Sequence, residues 1–392
     1  MKTAIVNGRV LTPLRMLKDA NLLIEDGKIA GITQDDVSAK ADLVYDAQGC
    51  YVSPGFIDMH THGGGGFDYM DGTAEAFAGA AKAHLQHGTT SLTPTTLSSS
   101  EEELLLAFRC YAEAKAGIQD GPNFLGLHLE GPYFSKAQAG AQDPKHLKTP
   151  EREQYLRILD ACGDISRISA AVELPGAPEL GSELRRRGII AAIGHSNALY
   201  EDVQIGVEHG YSLVTHLYSG MSMLRRIGPW RHLGVVESAY MIDELDVEII
   251  ADGCHLPPEL LRLILKQKPW DKICLITDSM RGAGLPEGEI VKLGSLEHGQ
   301  DVILEDGVAM LMDRSAFAGS VCTADRCVRT MVQGAGLPVA DAVRMMTMNP
   351  ARVLGAKGKG ILVPGYDADV CIFDDDIQIR RVMVGGEILV EK

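Results

Sequence analysis

Eight short apolar runs, most of them separated by stretches with a helical pattern, limit the possible folds of this chain more than any other feature. The runs cover residues 55–57, 90–92, 123–129, 168–172, 189–193, 211–214, 247–250 and 273–276. Helical stretches cover residues 73–86, 100–116, 150–159, 197–209 and 257–266. The second stretch begins with Ser100, which has the capping-box spacing with Glu103. Strands that alternate with helices predict a parallel sheet, and eight such repeats are typical of a (β/α)8 TIM barrel.

Metal-binding and acid–base side chains lie at or just after the ends of most of these runs. They are Asp58, His60 and His62 in the first case, His128 and Glu130 in the third, Glu173 in the fourth, His195 in the fifth, His216 in the sixth, Asp252 and His255 in the seventh, and Asp278 in the eighth. The C-terminal ends of barrel strands meet on one face of the barrel. These side chains are therefore predicted to line one pocket, although they lie far apart in the sequence.

His60 and His62 are the first candidates for a metal site. Side chains alternate along an extended segment, so both imidazoles lie on the same side and can ligate one ion. An isolated His-X-His is more often a pair of structural histidines, but here Pro54-Gly55 and four glycines at 63–66 bracket the pair. Imidazole and carboxylate ligands favour Zn, Fe or Co over Mg or Ca.

Glu130 is the next candidate, because Gly131-Pro132 ends the strand directly after it. It could pair with an arginine at the strand end, or it could bridge two metal ions. With His195 and His216 it completes a three-ligand site that leaves a coordination position open. Asp278 could accept and return a proton in general acid–base catalysis, or it could cap the segment that follows it.

The two ends of the chain have a different, β-rich pattern. Asp26-Gly27 near the N terminus and Gly385-Gly386 near the C terminus each lie between two strand-like runs, which is a hairpin signal. Each end is too short to hold a core of its own. We therefore predict that residues 1–52 and 355–392 form one composite β-sandwich domain, and that residues 53–354 form the TIM-barrel domain that carries the candidate metal site.

Composition argues against several classes of partner. The chain of 392 residues has a formal net charge of −16, which does not suit a protein that binds the phosphates of a nucleic acid. No apolar stretch reaches the ~18 residues of a membrane span, so no membrane partner is expected. The eight cysteines are scattered without a Cys-X-X-Cys pair, which predicts free thiols and a cytoplasmic protein.

Two segments resemble a known family. Residues 53–62, Ser-Pro-Gly-Phe-Ile-Asp-Met-His-Thr-His, and residues 360–369, Gly-Ile-Leu-Val-Pro-Gly-Tyr-Asp-Ala-Asp, resemble the amidohydrolase superfamily. Within it, residues 127–132, 194–198, 215–218, 250–255 and 275–278 resemble the family of N-acetylglucosamine-6-phosphate deacetylases. These segments occur in that family's order over nearly the whole chain.

The resemblance implies a divalent metal held by Glu130, His195 and His216, with Asp278 as general base and acid. His60 and His62, with Glu130 and Asp278 shared, imply a second metal. One or two ions per subunit are therefore expected, with Zn as the first choice and Fe, Co or Mn as alternatives. The resemblance also implies that His255 is a catalytic residue that contacts the substrate, where it helps to polarise the acetyl carbonyl or to hold the sugar and phosphate. The other substrate-binding residues that the resemblance implies are Gln142, Ser219, Gly220, Arg226, Ala318 and Gly319.

The resemblance further implies a phosphorylated amino sugar as substrate and a homodimer in which an arginine of one subunit reaches the phosphate bound by the other. The loop that faces the phosphate departs from the family, since Ser219-Gly220-Met221 replaces Asn-Ala-Met and the sequence at 225–230, Arg-Arg-Ile-Gly-Pro-Trp, replaces Arg-Glu-Pro-Gly. Arg226 is nearest to the family's arginine in its distance from His216.

The reaction that the resemblance implies is hydrolysis of the acetamide of N-acetylglucosamine 6-phosphate, which gives glucosamine 6-phosphate and acetate. The altered loop leaves N-acetylgalactosamine 6-phosphate and other N-acyl compounds open as substrates. A catalytically inactive scaffold is disfavoured, because such a chain would have little reason to keep all six candidate ligands and catalytic residues together.

Overall fold

The computed structural model describes residues 1–38 and 41–392. Its strands, in chain order, are β1 (Lys2–Leu11), β2 (Met16–Glu25), β3 (Lys28–Thr33), β4 (Leu43–Asp46), β5 (Tyr51–Pro54), β6 (Phe56–Thr61), β7 (Gly63–Gly64), β8 (Phe67–Asp68), β9 (Thr89–Thr96), β10 (Asn123–Phe124), β11 (Leu127–Glu130), β12 (Ile165–Ala170), β13 (Ile190–Ile193), β14 (Tyr211–Val214), β15 (Arg225–Ile227), β16 (Trp230–His232), β17 (Asp246–Ile250), β18 (Ile273–Ile276), β19 (Ile290–Leu293), β20 (Gln300–Glu305), β21 (Val308–Leu311), β22 (Val370–Phe373), β23 (Ile379–Val384) and β24 (Glu387–Glu391). Its α-helices are α1 (Ala74–Leu85), α2 (Glu101–Gly117), α3 (Arg152–Ala161), α4 (Ala177–Arg187), α5 (Tyr200–Glu208), α6 (Val235–Met241), α7 (Pro258–Gln267), α8 (Ala324–Arg329), α9 (Val339–Met345) and α10 (Met348–Leu354). None of the helices in these two ranges combines the length and apolar character that crossing a bilayer requires.

Eight parallel strands form a barrel, as the sequence predicts. Strands β6, β9, β11, β12, β13, β14, β17 and β18 are hydrogen-bonded neighbours in that order. The barrel closes between its first and last strands, where Thr61 pairs in parallel with Ser279. The backbone N–H of Asp278 donates to the carbonyl of His60 over 2.9 Å, and that of His62 donates to the carbonyl of Ser279 over 2.7 Å. The prediction of a TIM barrel is confirmed.

Helices alternate with the barrel strands at all the predicted places. The capping box at the start of α2 is present, because Ser100 Oγ accepts from the Glu103 backbone N–H over 3.2 Å while the Glu103 carboxylate accepts from the Ser100 backbone N–H over 2.9 Å. Helix α4 was not predicted. It has few apolar positions and ends in three consecutive arginines, 185–187, so its helical pattern is weak in the sequence.

Strands from both chain ends build one eight-stranded sheet beside the barrel. Its order is β24-β23-β22-β5-β1-β2-β3, with β4 also paired to β1. The N-terminal and C-terminal parts join where β5 and β22 run antiparallel, with Ser53 opposite Cys371. Apolar side chains from both parts, among them Leu22, Val52 and Val370, share one core. The composite β domain is confirmed, whereas its division from the barrel at 52/53 and 354/355 stays a prediction.

An insertion of three antiparallel strands, β19, β20 and β21, follows the last barrel strand and was not predicted. It lies between β18 and α8 in the chain. Leu293 at the end of β19 and Phe317 after β21 line a cavity at the carboxyl end of the barrel. The insertion therefore forms part of the wall of the pocket in which the predicted site residues lie.

Candidate active site

The six predicted metal ligands, which include the catalytic candidate Asp278, meet at the carboxyl end of the barrel and are all buried. They are His60 on β6, His62 directly after β6, Glu130 on β11, His195 after β13, His216 after β14 and Asp278 after β18. Five of the six, all except His60, line a cavity of about 310 Å³. The convergence that the strand-end pattern predicts is therefore present.

Three of these residues have left-handed backbone conformations. The φ angles are 47° at His195, 31° at His216 and 48° at Asp278. Such angles are uncommon for residues other than glycine and cluster at functional sites. Each is the second residue after the end of its strand.

Glu130 is the centre of the cluster. Its Oε1 lies 2.9 Å from His216 Nε2, 3.4 Å from His195 Nε2 and 3.5 Å from His60 Nε2. Its Oε2 lies 3.3 Å from His62 Nε2. One carboxylate thus contacts four imidazoles, which places it between the pair His60 and His62 and the pair His195 and His216.

Asp278 faces the cluster from the closing side of the barrel. Its Oδ1 lies 3.4 Å from His60 Nε2 and 3.3 Å from His62 Nε2. It is therefore near both the pair His60 and His62 and the cavity, and it can touch a molecule bound there. The alternative role as a helix cap is not observed, because the next element after Asp278 is strand β19.

The hydrogen bonds on the far side of the imidazoles suit metal ligands. His62 Nδ1 donates to the carbonyl of Thr95 over 3.2 Å, and His195 Nδ1 donates to the carbonyl of Gln138 over 2.8 Å. A carbonyl can only accept, so these bonds place a proton on Nδ1 and leave Nε2 free to ligate. Two groups of potential ligands have their atoms within 4.8 Å of one another, and they share Glu130. The first group is His60, His62 and Glu130, and the second group is Glu130, His195 and His216. The residues present fit one or two divalent ions.

The electrostatics of the cluster favour a cation. Burial alone would raise the pKa of the Glu130 carboxyl, but hydrogen bonds from His195 and His216 hold it well below its ordinary value. Burial would likewise raise the pKa of Asp278, yet the nearby His60 and His62 lower it to about 2. Burial lowers the pKa of His62, and its hydrogen bonds to Asp278 and Glu130 outweigh this and raise it to about 10. Two buried carboxylates therefore require positive charge beside them.

Most of the predicted substrate-binding residues also line the cavity. These are Gln142, Ser219, Gly220, His255 and Gly319. Gln142 is held in place, since its Nε2 donates to Glu130 Oε2 over 2.7 Å and its Oε1 accepts from the Ser98 backbone N–H over 2.9 Å. His255 is oriented by Asp252, whose Oδ2 lies 2.7 Å from His255 Nδ1.

Two predicted substrate-binding residues do not line the cavity. The side chain of Ala318 is buried in an apolar cluster with Met280 and Leu304. The next residue, Gly319, lies on the cavity wall instead. Arg226 lies on the exposed hairpin of β15 and β16, opposite Arg231. Within one chain it therefore takes no part in the pocket.

The structure adds residues that the sequence did not reveal. Tyr218, Leu97 and Phe317 line the cavity. Leu97 lies directly after β9, but none of the three carries the imidazole or carboxylate group that singled out the residues at the other strand ends. Arg167 and Glu248 form an ion pair inside the barrel and are fully buried. Both residues could have been noticed in the sequence as charged residues at apolar runs, because Glu248 lies within the run 247–250 and Arg167 lies directly before the run 168–172.

The chain is similar to known proteins over most of its length. The family model described as the amidohydrolase family matches residues 51–389. The chain is 34% identical to an N-acetylglucosamine-6-phosphate deacetylase of Lysinibacillus sphaericus, over 94% of this chain and 92% of that one. It is 30% identical to an N-acetylgalactosamine-6-phosphate deacetylase of Escherichia coli O157:H7, over 97% of each.

A solved structure is similar over nearly its whole length. It is a mutant N-acetyl-D-glucosamine-6-phosphate deacetylase of Mycobacterium smegmatis in complex with N-acetyl-D-glucosamine 6-phosphate. The TM-score is 0.90 at 30% identity, with 99% of each chain covered. These likenesses extend over both the barrel and the composite sheet, and they agree with the ligand cluster at the barrel's carboxyl end. The chain therefore belongs to the amidohydrolase family and is a hydrolase.

Proposed function

We propose that this protein hydrolyses the acetamide of N-acetylglucosamine 6-phosphate to glucosamine 6-phosphate and acetate. The observation that carries the proposal is the convergence of four imidazole Nε2 atoms on Glu130 beside a cavity that also holds Asp278. The relative from Lysinibacillus sphaericus supports this substrate. The relative from Escherichia coli O157:H7 makes N-acetylgalactosamine 6-phosphate the second candidate.

The proposed mechanism divides the work between metal-binding and proton-transferring residues. Glu130, His195 and His216 would hold one divalent ion, and His60 and His62 with Glu130 and Asp278 would hold a second; zinc is our first choice, and Fe, Co or Mn are alternatives. A divalent ion at this position supplies Lewis-acid activation of the amide and of water.

Asp278 moves the proton in this mechanism. Its Oδ1 lies 3.3 Å from His62 Nε2 at the cavity wall, so the carboxylate is placed to accept a proton from the attacking water and to return it to the departing amine. His255 lies on the cavity wall with its Nδ1 held by Asp252, which leaves Nε2 to contact the substrate. Gln142 fixes the orientation of Glu130 through a direct hydrogen bond.

The proposed function is tested by acetate release from four sugars. These are N-acetylglucosamine and N-acetylgalactosamine, each with and without the 6-phosphate. We expect kcat/KM to be highest for N-acetylglucosamine 6-phosphate and to fall at least about tenfold without the phosphate, since a charged group that loses its partner costs over 1.4 kcal/mol. Equal activity on phosphorylated and unphosphorylated sugars would move the substrate assignment to a different N-acyl compound.

We also propose a homodimer that completes the phosphate site. Among the described residues, the cavity wall contains no lysine or arginine, although a phosphate requires a cationic partner. The hairpin after β14 carries four exposed apolar side chains, Met223, Leu224, Ile227 and Trp230, the last 72% exposed. Exposed apolar patches of this kind are typical of interaction sites. Packing of this hairpin on a second copy would bring Arg226 to the partner's cavity.

Replacing Arg226 with alanine tests this arrangement. We expect Arg226→Ala to raise KM for the 6-phosphorylated sugar at least about tenfold and to leave kcat nearly unchanged, because the lost contact is made equally in the ground and transition states. The measurement is steady-state acetate release with each sugar. Arg231→Ala, opposite Arg226 in the same hairpin, is the matched control and should behave as wild type. An equal rise of KM in both variants would contradict a specific phosphate contact.

A cytoplasmic location is part of the proposal. All eight cysteines are free thiols, and five of them are buried. Free thiols are usual in a reducing compartment and uncommon in secreted proteins.

A further inference from the structure

A group of polar side chains is buried inside the barrel beside the ligand cluster. Arg167 on β12, Glu248 on β17 and His128 on β11 have no exposed surface. Arg167 forms an ion pair with Glu248, and its Nη2 donates to His128 Nδ1 over 2.8 Å. His128 Nε2 in turn lies 2.8 Å from Ser169 Oγ. The group thus forms one connected hydrogen-bond network between three strands.

The network reaches the proposed metal centre through His60. Glu248 Oε2 accepts from His60 Nδ1 over 3.3 Å. The His128 ring packs edge-on against the His60 ring with centroids 4.5 Å apart. His60 is therefore held on its far side by a carboxylate and on one face by a second imidazole, while its Nε2 points toward Glu130.

Stability alone does not account for this network. A buried ion pair is often matched or exceeded in stability by apolar residues of similar volume, because removing two charges from water is costly. Another part of the barrel interior is filled by an apolar cluster. Its members are Met59, Ala192, Leu213, Ile250, Cys274 and Ile276. A charged pair in such an interior therefore calls for a functional explanation.

We propose that Glu248 is a positioning residue for the metal centre. Glu248 keeps the proton of His60 on Nδ1, so that Nε2 is free to ligate, and Arg167 holds the Glu248 carboxylate in the orientation that this requires. The inference rests on the proposed function, since it assigns a metal to His60. His62 and His195 use backbone carbonyls for the same purpose. A carboxylate makes the imidazole a more basic ligand than a carbonyl does, which distinguishes His60 from these two.

A double-mutant cycle on metal affinity tests the role. Zinc affinity is measured by competition with a chromophoric chelator for the wild type, Glu248→Gln, His60→Ala and the combined variant. Loss of such an outer partner typically lowers metal affinity about 10–100-fold, and we expect this loss for Glu248→Gln. In the His60→Ala background the same substitution should change affinity by less than about threefold, because the ligand through which it acts is missing.

Glu248→Gln leaves the Arg167 charge buried without a charged partner, so a second variant is needed as a control for folding. The double variant Glu248→Met/Arg167→Met removes both charges and should keep a melting temperature near that of the wild type. This double variant should lose zinc affinity to the same extent as Glu248→Gln. When it is combined with His60→Ala, it should not lower zinc affinity below that of His60→Ala alone. If Glu248→Gln does not fold, this variant decides the question by the same comparison.

Two results would overturn the inference while the proposed function stands. One is a zinc affinity of Glu248→Gln within about threefold of the wild type, and the other is an equal loss in both backgrounds, which indicates a general effect on the barrel rather than one through His60. A wild-type protein that binds no zinc, iron, cobalt or manganese would overturn the proposed function as well. The two failures are therefore distinguishable.

Discussion

Asp278→Asn is expected to lower kcat for the phosphorylated sugar by at least ~10²-fold, the usual scale of a general acid–base contribution. The amide has nearly the size of the carboxylate but cannot accept the proton of the attacking water. Asp278 is placed for this role, since it lies on the cavity wall and its Oδ1 is within 3.4 Å of the Nε2 atoms of His60 and His62. The measurement is steady-state acetate release at saturating substrate.

Two measurements separate proton transfer from structural damage in this variant. Elemental analysis should find that the ion held by Glu130, His195 and His216 is retained, because these three ligands remain, and thermal unfolding should show an unchanged midpoint. Asp301→Asn, an exposed carboxylate on β20, serves as a control and should keep full turnover. Near wild-type kcat for Asp278→Asn would show that another group transfers the proton.

Glu130→Gln is expected to remove most of the bound metal and to lower kcat/KM by at least ~10³-fold, since metal activation contributes several kcal/mol. Both groups of potential ligands share this carboxylate, and glutamine lacks the charge that balances a divalent ion. The measurement is metal content by elemental analysis together with acetate release.

Two comparison variants show how the metal is divided between the two groups. His60→Ala/His62→Ala should lose one ion and keep the ion held by Glu130, His195 and His216. His195→Ala should weaken the tighter site instead. Unchanged stoichiometry in His60→Ala/His62→Ala would contradict the second site, and full metal content in Glu130→Gln would contradict the shared ligand.

The barrel and the ligand cluster were predictable because their signal is local and repeated. His195 and His216 each follow a short apolar run, and the parallel barrel then brings them together without further information. The same reasoning predicts the position of Glu130 and Asp278, and both lie on the wall of the same cavity in the structure.

The remaining features depend on contacts between distant segments. Nothing near Ala318 in the sequence indicates that its side chain packs on Met280 rather than facing the cavity. Strands β19 to β21 are short and lie outside the repeat of strand and helix, so the repeat does not predict them. The ion pair of Arg167 and Glu248 joins strands that are 81 residues apart, and pairing over such a distance is not visible in either strand's pattern.

The pairing of β5 with β22 has a consequence for the order in which the molecule is completed. Val52 lies opposite Ile372, so this edge of β5 cannot pair until a strand 320 residues later in the chain has been synthesised. Until the C-terminal residues leave the ribosome, the edge of β5 and the apolar side chains of β1 and β2 stay without their partners, and an uncovered strand edge promotes aggregation. A chain without β22, β23 and β24 would therefore resemble this folding intermediate, because it would contain all the barrel strands while β5 would have an unpaired edge.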